Sequence, residues 1–428
     1  MRYCIKGGEI IDPAGGFIGI GDLLIESGKV EAVGRELPVE NAQIIPAAGK
    51  IVCPGFIDIH CHLREPGRED KETIVSGTKA ALKGGFTAVA CMANTDPVAD
   101  NPVIIEYVKK RAMESGYAKV YPVGAITKGL KGEELAEMGE MASAGVVAFS
   151  DDGKTLVNPA ILRTALEYSK LFKMPLLLHE EDPNLAETGV MHEGYWSTVL
   201  GMPGIPAIAE TVMIARDLLI AEYTQGVIHF CHLSCSGSVN LIKQAKRNGL
   251  EVSAEVTPHH LALSDADLQG YDPAFRVSPP LRSMEDREAL RLGLQDGIID
   301  VIATDHAPHT REEKHREFAM ASTGMIGLET ALGVAWTELV AANLLTKEEL
   351  IRKMAVNPAR ILHQPGGRLL PGDPADVIII DPLREWEVKA EDFVSKSQNS
   401  PFIGRKLTGK VQFAWVDGVL RFNDEILV

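Results

Sequence analysis

Apolar residues run through this chain in two textures. At both ends they form short alternating stretches cut by glycine: "YCIKGGEII", "GDLLIESGKVEAVG" and "AQIIPAAGK" near the start, "GGRLLPGDPADVIIIDP" and "VQFAWVDGVLRF" in the tail. That pattern predicts β-structure, with no helix-length period. Between the ends, apolar runs alternate with segments of helical period, the mark of a parallel sheet built from β-α units. Eight runs read as strands: Ile51–Ile59, Phe86–Met92, Val120–Ala125, Val146–Ser150, Leu176–His179, Val227–His232, Glu251–Thr257 and Ile298–Thr304. The helices between them carry their own punctuation. "NPAILRTALEYSKLFK" has Asn158 as a cap and Pro159 at the first helical position. "SGSVNLIKQAKRNG" stops at a glycine, and "TKEELIRKM" opens with a Thr346/Glu349 capping box. The predicted architecture is α/β: a (β/α)8 TIM-type barrel over 53–365, with a small β-sandwich formed by both termini, 1–52 and 366–428.

Composition narrows the class. The chain has 428 residues, 45% hydrophobic and 24% charged, enough apolar material for one large core. Lys and Arg number 43 against 59 Asp and Glu, a net charge of −16. Such a charge disfavours nucleic acid and anionic membranes and repels anionic substrates at long range. An anion site here must therefore be locally positive. Six cysteines, at 4, 53, 61, 91, 231 and 235, lie in apolar surroundings without a CxxC, so reduced thiols are expected. No apolar run approaches the ~20 residues of a membrane span, and the N-terminus has no signal core, so a cytoplasmic protein is expected.

Active sites of such barrels form at the C-terminal ends of the strands. His60 and His62 end the first strand, Asn94 follows the second, and Asp151 and Asp152 end the fourth. His179 ends the fifth, His232 the sixth and Asp305 the eighth; His259 and His260 follow the seventh. Alternation puts His60 and His62 on one face and Cys61 on the other. It likewise groups His232 with Phe230 and Ile228, turns His229 and Cys231 toward the helices, and sets Asp305 with Ala303. Imidazoles plus carboxylates suit zinc or a similar first-row ion. Four histidines and two aspartates exceed one tetrahedral site but suffice for two metals about 3.5–4 Å apart. His192, His229, His315 and His363 read as structural or surface residues, and His259 and His260 as packing or supporting ones. Asp151 could instead cap a turn, and Asp58 could orient the site from beneath. Arg64 can grip a carboxylate in bidentate fashion; with Asn94 and His309 it would make a polar cradle for an anion.

These motifs resemble the amidohydrolase superfamily, in particular dihydroorotases of the type I bacterial class. "GFIDIHCHLREPG", "GGFTAVACMANTDP", "AFSDDGK", "LLLHEED", "IHFCHLS", "VTPHHL", "ATDHAPH", "GMIGLETAL" and "GDPADVIIID" follow that family in order over nearly the whole chain. The resemblance implies two Zn2+ per chain: one held by His60, His62 and Asp305, the other by His179 and His232, with Asp152 bridging. Many relatives bridge with a carbamylated lysine; this chain has Asp-Asp at that place, with Lys154 nearby. Substrate contacts map to His62, Leu63, Arg64, Asn94, Ser278, His309, Thr323 and Gly324. Ser278 stands where the family commonly has Asn, and Thr323 where it often has Phe. The implied reaction is zinc-dependent, reversible hydrolysis of (S)-dihydroorotate to N-carbamoyl-L-aspartate in pyrimidine synthesis. A metal-bridging hydroxide would be the nucleophile and Asp305 the general acid and base.

Two other readings compete. One is another cyclic amidase, a dihydropyrimidinase, hydantoinase or allantoinase; Arg64 and Asn94 argue against it, because only a substrate with a side carboxylate needs them. The other is an inactive structural subunit of aspartate transcarbamoylase, which would be expected to have lost metal histidines. The family also implies a homo-oligomer and, for many members, assembly with that transcarbamoylase. Finally, Thr310 to Thr323 is charge-rich and apolar only in its middle, so it is expected to be a mobile lid ordered by substrate or a partner.

Overall fold

A computed structural model describes residues 1–424 and 426–428 of the chain. Eight parallel strands pair in chain order: β1 (Phe56–Cys61), β2 (Phe86–Cys91), β3 (Lys119–Gly124), β4 (Ala148–Phe149), β5 (Leu176–Leu178), β6 (Ile228–Phe230), β7 (Val252–Val256) and β8 (Val301–Ile302). The first and last strands are stitched together. Cys61 bridges His306, the His62 N–H donates to the His306 carbonyl at 2.9 Å, and Asp58 accepts from the Thr304 N–H at 3.0 Å and from its hydroxyl. The result is the expected barrel. Helices such as Ile74–Lys83, Pro102–Ser115, Pro159–Ser169, Ile208–Thr224, Ser236–Arg247 and Met284–Gln295 lie between the strands. Asn158 caps its helix by accepting from Ala160, and the Thr346/Glu349 capping box is formed.

Side chains sort by strand alternation into two apolar layers. Phe56, Phe86, Val89, Phe149, Leu176, Leu178, Ile228, Phe230, Val256 and Ile302 pack against the helices. Ile57, Ile59, Ala88, Ala90, Val123, Ala148, Leu177, Cys231, Val301 and Ala303 form a separate inner cluster. Four of these inner positions are alanine, which suits the narrow interior of an eight-stranded barrel.

The run 51–59 is not one strand. Ile51–Pro54 pairs with Val377–Ile380, in the sheet of the termini, whereas Phe56–Cys61 pairs with Phe86–Cys91. Gly55 is the break: a Cβ there would meet Thr87 Oγ1 at 2.2 Å. Among the described residues the terminal sheet has nine mostly antiparallel strands, drawn from Arg2–Pro54 and Val377–Leu427. Tyr3, Ile10, Leu23, Ile25, Val52, Val377, Ile379 and Trp415 fill its own core. Between Val377–Glu387 and Lys406–Val416 the chain leaves this sheet and crosses to the barrel.

Candidate metal-dependent active site

At the mouth of the barrel four histidines and two aspartates converge. His60 Nδ1 lies 2.6 Å from Glu255 Oε1 on β7. With its proton there, Nε2 faces Asp152 Oδ1 at 3.4 Å and Asp305 Oδ1 at 3.5 Å. His62 is set the same way: Nδ1 is 2.8 Å from Asn94 Oδ1, and Nε2 lies 3.0 Å from Asp305 Oδ1 and 3.3 Å from Asp152 Oδ2. His179 Nδ1 and His232 Nε2 are 2.9 Å apart and lie 3.7 and 3.5 Å from Asp152 Oδ1. Asp152 is thus the hub that all four imidazoles share. Asp151 points elsewhere and accepts from the Ile126 and Thr127 N–H groups at 2.8 and 2.9 Å, fastening the preceding loop.

Buried His60 Nε2 and Asp152 Oδ1 make no hydrogen bond. Burial alone would lower the pKa values of His60 and His232, but Asp152, joined at His60 by Glu255, outweighs it and raises both. Burial would likewise raise Asp152 and Asp305, yet His60 and its neighbours hold both below the usual carboxylate range. Burial, then His232, brings His179 down to about 4. Two buried carboxylates therefore call for positive charge among nitrogen donors that are already aimed. His60, His232 and Asp305 form one group of converging donors, and Asp152, His179 and His232 another. This set fits first-row cations.

Local backbone explains how the strand ends present these groups. The expectation for the sixth strand is reversed: Ile228 and Phe230 face the helices, while Cys231 packs in the inner cluster and His229 turns to Glu255, also in the interior, with Nε2 at 3.1 Å. His232 still reaches the site because the strand has ended and its φ is +31°. That left-handed turn breaks the alternation. Asp305 has φ +45° and follows inward-facing Ala303, as expected.

Glu255 is a residue that sequence reasoning missed, as are Gly153 and Glu181 of the cleft lining. Glu255 holds His60 and His229 and also accepts from the His232 N–H at 3.1 Å. Burial would raise its pKa, but His60 and His229 bring it down to about 2. Its signal was present: a glutamate at the inward register of "EVSAEVT", flanked by outward Ala254 and Val256. Asp58 lies below His60, whose N–H it accepts at 3.3 Å. His260 is a packing residue held by Thr257 Oγ1 at 2.8 Å and the Pro279 carbonyl at 3.1 Å. His259 is buried beside it with Nε2 unpartnered. His315 and His363 are exposed, and buried His192 contacts Arg282.

A cleft of about 280 Å³ opens over the cluster, lined by His62, Arg64, Asn94, Asp152, Gly153, His179, Glu181, His232, Ser278, Asp305, His309, Thr323 and Gly324. A larger cavity of about 750 Å³ beyond residues 310–317 shares only His309 with it and holds none of the six converging side chains. Arg64 spends Nε on the Pro308 carbonyl at 3.2 Å; no acidic side chain among the described residues holds its other nitrogens. Glu65 is taken by Arg111, Tyr107 and the Ile74 N–H, and Glu69 by the Gly67 N–H. Asn94 keeps Nδ2 to donate. His309 is already engaged, with Nε2 2.8 Å from the Thr323 carbonyl and Nδ1 3.0 Å from Glu313. Burial, then Arg64, lowers its pKa to about 3. The Leu63 side chain packs in the core against Gly77. Lys154 is exposed and outside the cleft.

Residues 310–323 are tied down by two long basic side chains as well as by Phe318, which is buried in an apolar cluster. Lys314 Nζ donates to the carbonyls of Ser322, Gly324 and Arg276 at 2.9, 3.0 and 3.3 Å. The Arg276 guanidinium reaches the Phe318 and Ala319 carbonyls.

The comparisons with known proteins agree with this geometry. Residues 49–238 match the family model described as dihydro-orotase-like. The chain is 52% identical over 427 residues to a dihydroorotase of Pelotomaculum thermopropionicum, covering all of both chains. It is 48% identical to a dihydroorotase of Acetivibrio thermocellus, covering 99% of this chain and all of that one. Among solved structures, an L-hydantoinase (dihydropyrimidinase) from Arthrobacter aurescens superposes with a TM-score of 0.89 at 25% identity, covering all of this chain and 98% of that one. A barrel closed by its first and last strands, a buried His/Asp cluster at its mouth and full-length identity of this degree lead to one conclusion: the chain belongs to the dihydroorotase family, cyclic amide hydrolases of the amidohydrolase fold.

Proposed function

We propose that the chain is a type I dihydroorotase that interconverts (S)-dihydroorotate plus water with N-carbamoyl-L-aspartate. The observation that carries this reading is an arginine whose terminal nitrogens have no carboxylate partner among the described residues, standing beside a buried His/Asp cluster in one cleft. Neutral cyclic imides offer such an arginine only single carbonyl acceptors, whereas a ring carboxylate matches its charge and its fork.

In this reading His60, His62 and Asp305 would hold one zinc ion and His179 and His232 a second, with Asp152 between them. When bound, the metals lower the pKa of water toward neutrality and polarise the ring carbonyl. Asp305, kept unprotonated by the surrounding histidines, takes a proton from the attacking water and returns it to the ring nitrogen as the C–N bond breaks. In the synthetic direction it takes the proton from the carbamoyl nitrogen and gives it to the departing hydroxyl. Arg64 and the Asn94 Nδ2 fix the ring carboxylate, and Glu255 holds His60 in the tautomer that frees Nε2. The type I assignment rests on Asp152 as the bridge. Lys154→Ala should then leave activity intact; its loss in that variant, together with a wild type that CO2 depletion inactivates and bicarbonate restores, would instead indicate a carbamylated lysine.

The deciding experiment is an assay of purified protein supplied with zinc on dihydroorotate and carbamoyl aspartate, beside hydantoin and allantoin. Turnover confined to the first pair is expected. Turnover of hydantoin without dihydroorotate would replace this reading with that of a different cyclic amidase. No helix among the described residues is long and apolar enough to cross a membrane. A cytoplasmic, homo-oligomeric enzyme that assembles with aspartate transcarbamoylase is supported by the resemblance alone. Size-exclusion chromatography of the chain, alone and mixed with that transcarbamoylase, tests it: monomeric elution removes the homo-oligomer, and separate elution of the mixture removes the complex.

A further inference from the structure

The excursion between Val377–Glu387 and Lys406–Val416 carries Ser395, Ser397 and Asn399, all buried. Asn399 spends its whole side chain on the walls of the cleft. Its Nδ2 donates to the Ala307 carbonyl at 3.0 Å and the Gly324 carbonyl at 3.1 Å, and its Oδ1 accepts from the His309 N–H at 3.3 Å. Its own carbonyl accepts from the Ile326 N–H at 3.0 Å. Only a primary amide offers two donors and an acceptor on one small plane. The Ser397 hydroxyl lies 2.9 Å from both the Lys71 and the His309 carbonyls. Two separate segments after β8, 306–309 and 323–326, meet directly through the Ala307 N–H to the Met325 carbonyl at 2.9 Å and His309 Nε2 to the Thr323 carbonyl at 2.8 Å, and one side chain from the terminal-sheet part of the chain adds a second tie across them. Clearance between them is small: a Cβ on Gly324 would sit 2.7 Å from Ala307 Cβ and 3.1 Å from His309 Nε2. The side chain of Asn399 makes no contact with the converging histidines and aspartates.

We propose that Asn399 is a positioning residue for the substrate carboxylate, supporting the spacing of the His309 and Gly324 walls beside Arg64, whose Nε donates to the neighbouring Pro308 carbonyl. The inference rests on the dihydroorotate reading above. It makes the far end of the sequence part of the binding site without touching substrate.

The test compares Asn399→Ala with wild type in steady-state kinetics on dihydroorotate, in metal content, and in hydrogen exchange of segments 306–309 and 323–326. Losing a buried amide's bonds should raise KM about tenfold while kcat stays within about threefold. Metal content should match wild type, and both segments should exchange faster. Unchanged KM overturns the proposal; so does a fall in kcat that tracks lost metal, because that marks general structural damage. Should Asn399→Ala not fold, Ser397→Ala removes one contact of the same strap. It should give the same split at smaller size, and an unchanged KM in this folded variant overturns the proposal. A wild-type protein inert toward dihydroorotate would overturn the functional reading. The exchange data then judge the tie by itself, and equal rates in variant and wild type overturn it.

Discussion

Glu255 shows what one carboxylate does for a neighbouring imidazole. It fixes which His60 nitrogen is free, holds His229 and accepts from the His232 backbone. Glu255→Gln keeps the shape but lets the amide present a donor to His60. Metal affinity should fall about 10–100-fold, read by chelator competition, with activity recovering in excess zinc. Wild-type affinity would show that His60 needs no such support. Arg64→Lys keeps the charge and loses the planar fork; KM for dihydroorotate should rise with metal content unchanged. An unaltered KM would remove Arg64 from the carboxylate site. At this scale the sequence was informative where a strand end carried a histidine or aspartate. It placed His232 at the site but misled on the facing of the strand before it, turning His229 and Cys231 toward the helices, because alternation counted back from His232 assumes extended backbone and φ there is +31°. It was silent on Asn399, whose partners lie some ninety positions away in the chain.

Elements near the mouth are secured by polar clasps in addition to apolar contact. Glu65, just past β1, accepts from Arg111 Nε at 2.8 Å, the Ile74 N–H at 2.8 Å and the Tyr107 hydroxyl at 3.1 Å. Burial would raise its pKa, but these partners lower it. A depressed folded pKa contributes stability above the ordinary glutamate value, and that contribution is lost as pH falls below about 4.3. The unfolding midpoint of wild type should therefore exceed that of Glu65→Gln at about pH 6, and the gap should narrow by about pH 3.5. A constant gap would assign the effect to shape. The same kind of clasp holds 310–323, and a count of apolar residues does not reveal it. Lys314→Met should speed hydrogen exchange there; strong protection in both proteins would mean that other contacts carry the segment. The split at Gly55 was equally hard to read, since both halves of 51–61 are buried strand and only partner choice separates them.

For the whole molecule, periodicity gave the barrel because β-α alternation is local. The terminal sheet was legible as β-texture, but its strand order depends on pairing across most of the chain. Removing metal should be felt globally. Asp152 and Asp305 would stay buried with only imidazoles to balance them, and a ligand bound by the folded state alone stabilises it by mass action. Exhaustive chelation should lower the Tm by several degrees, and zinc should restore it; an unchanged Tm would mean that the cluster is stable without a cation.

The sheet joining Ile51–Pro54 to Val377–Ile380 also sets a schedule for biogenesis. On the ribosome the opening strands emerge hundreds of residues before their partners, a wait of roughly 20–70 s at ordinary elongation rates. During that interval their edges are unpaired and their apolar faces uncovered, a state prone to capture by neighbouring nascent chains. Nascent chains arrested before Val377 should bind chaperones through residues 1–54, and chains arrested after Val416 should be released.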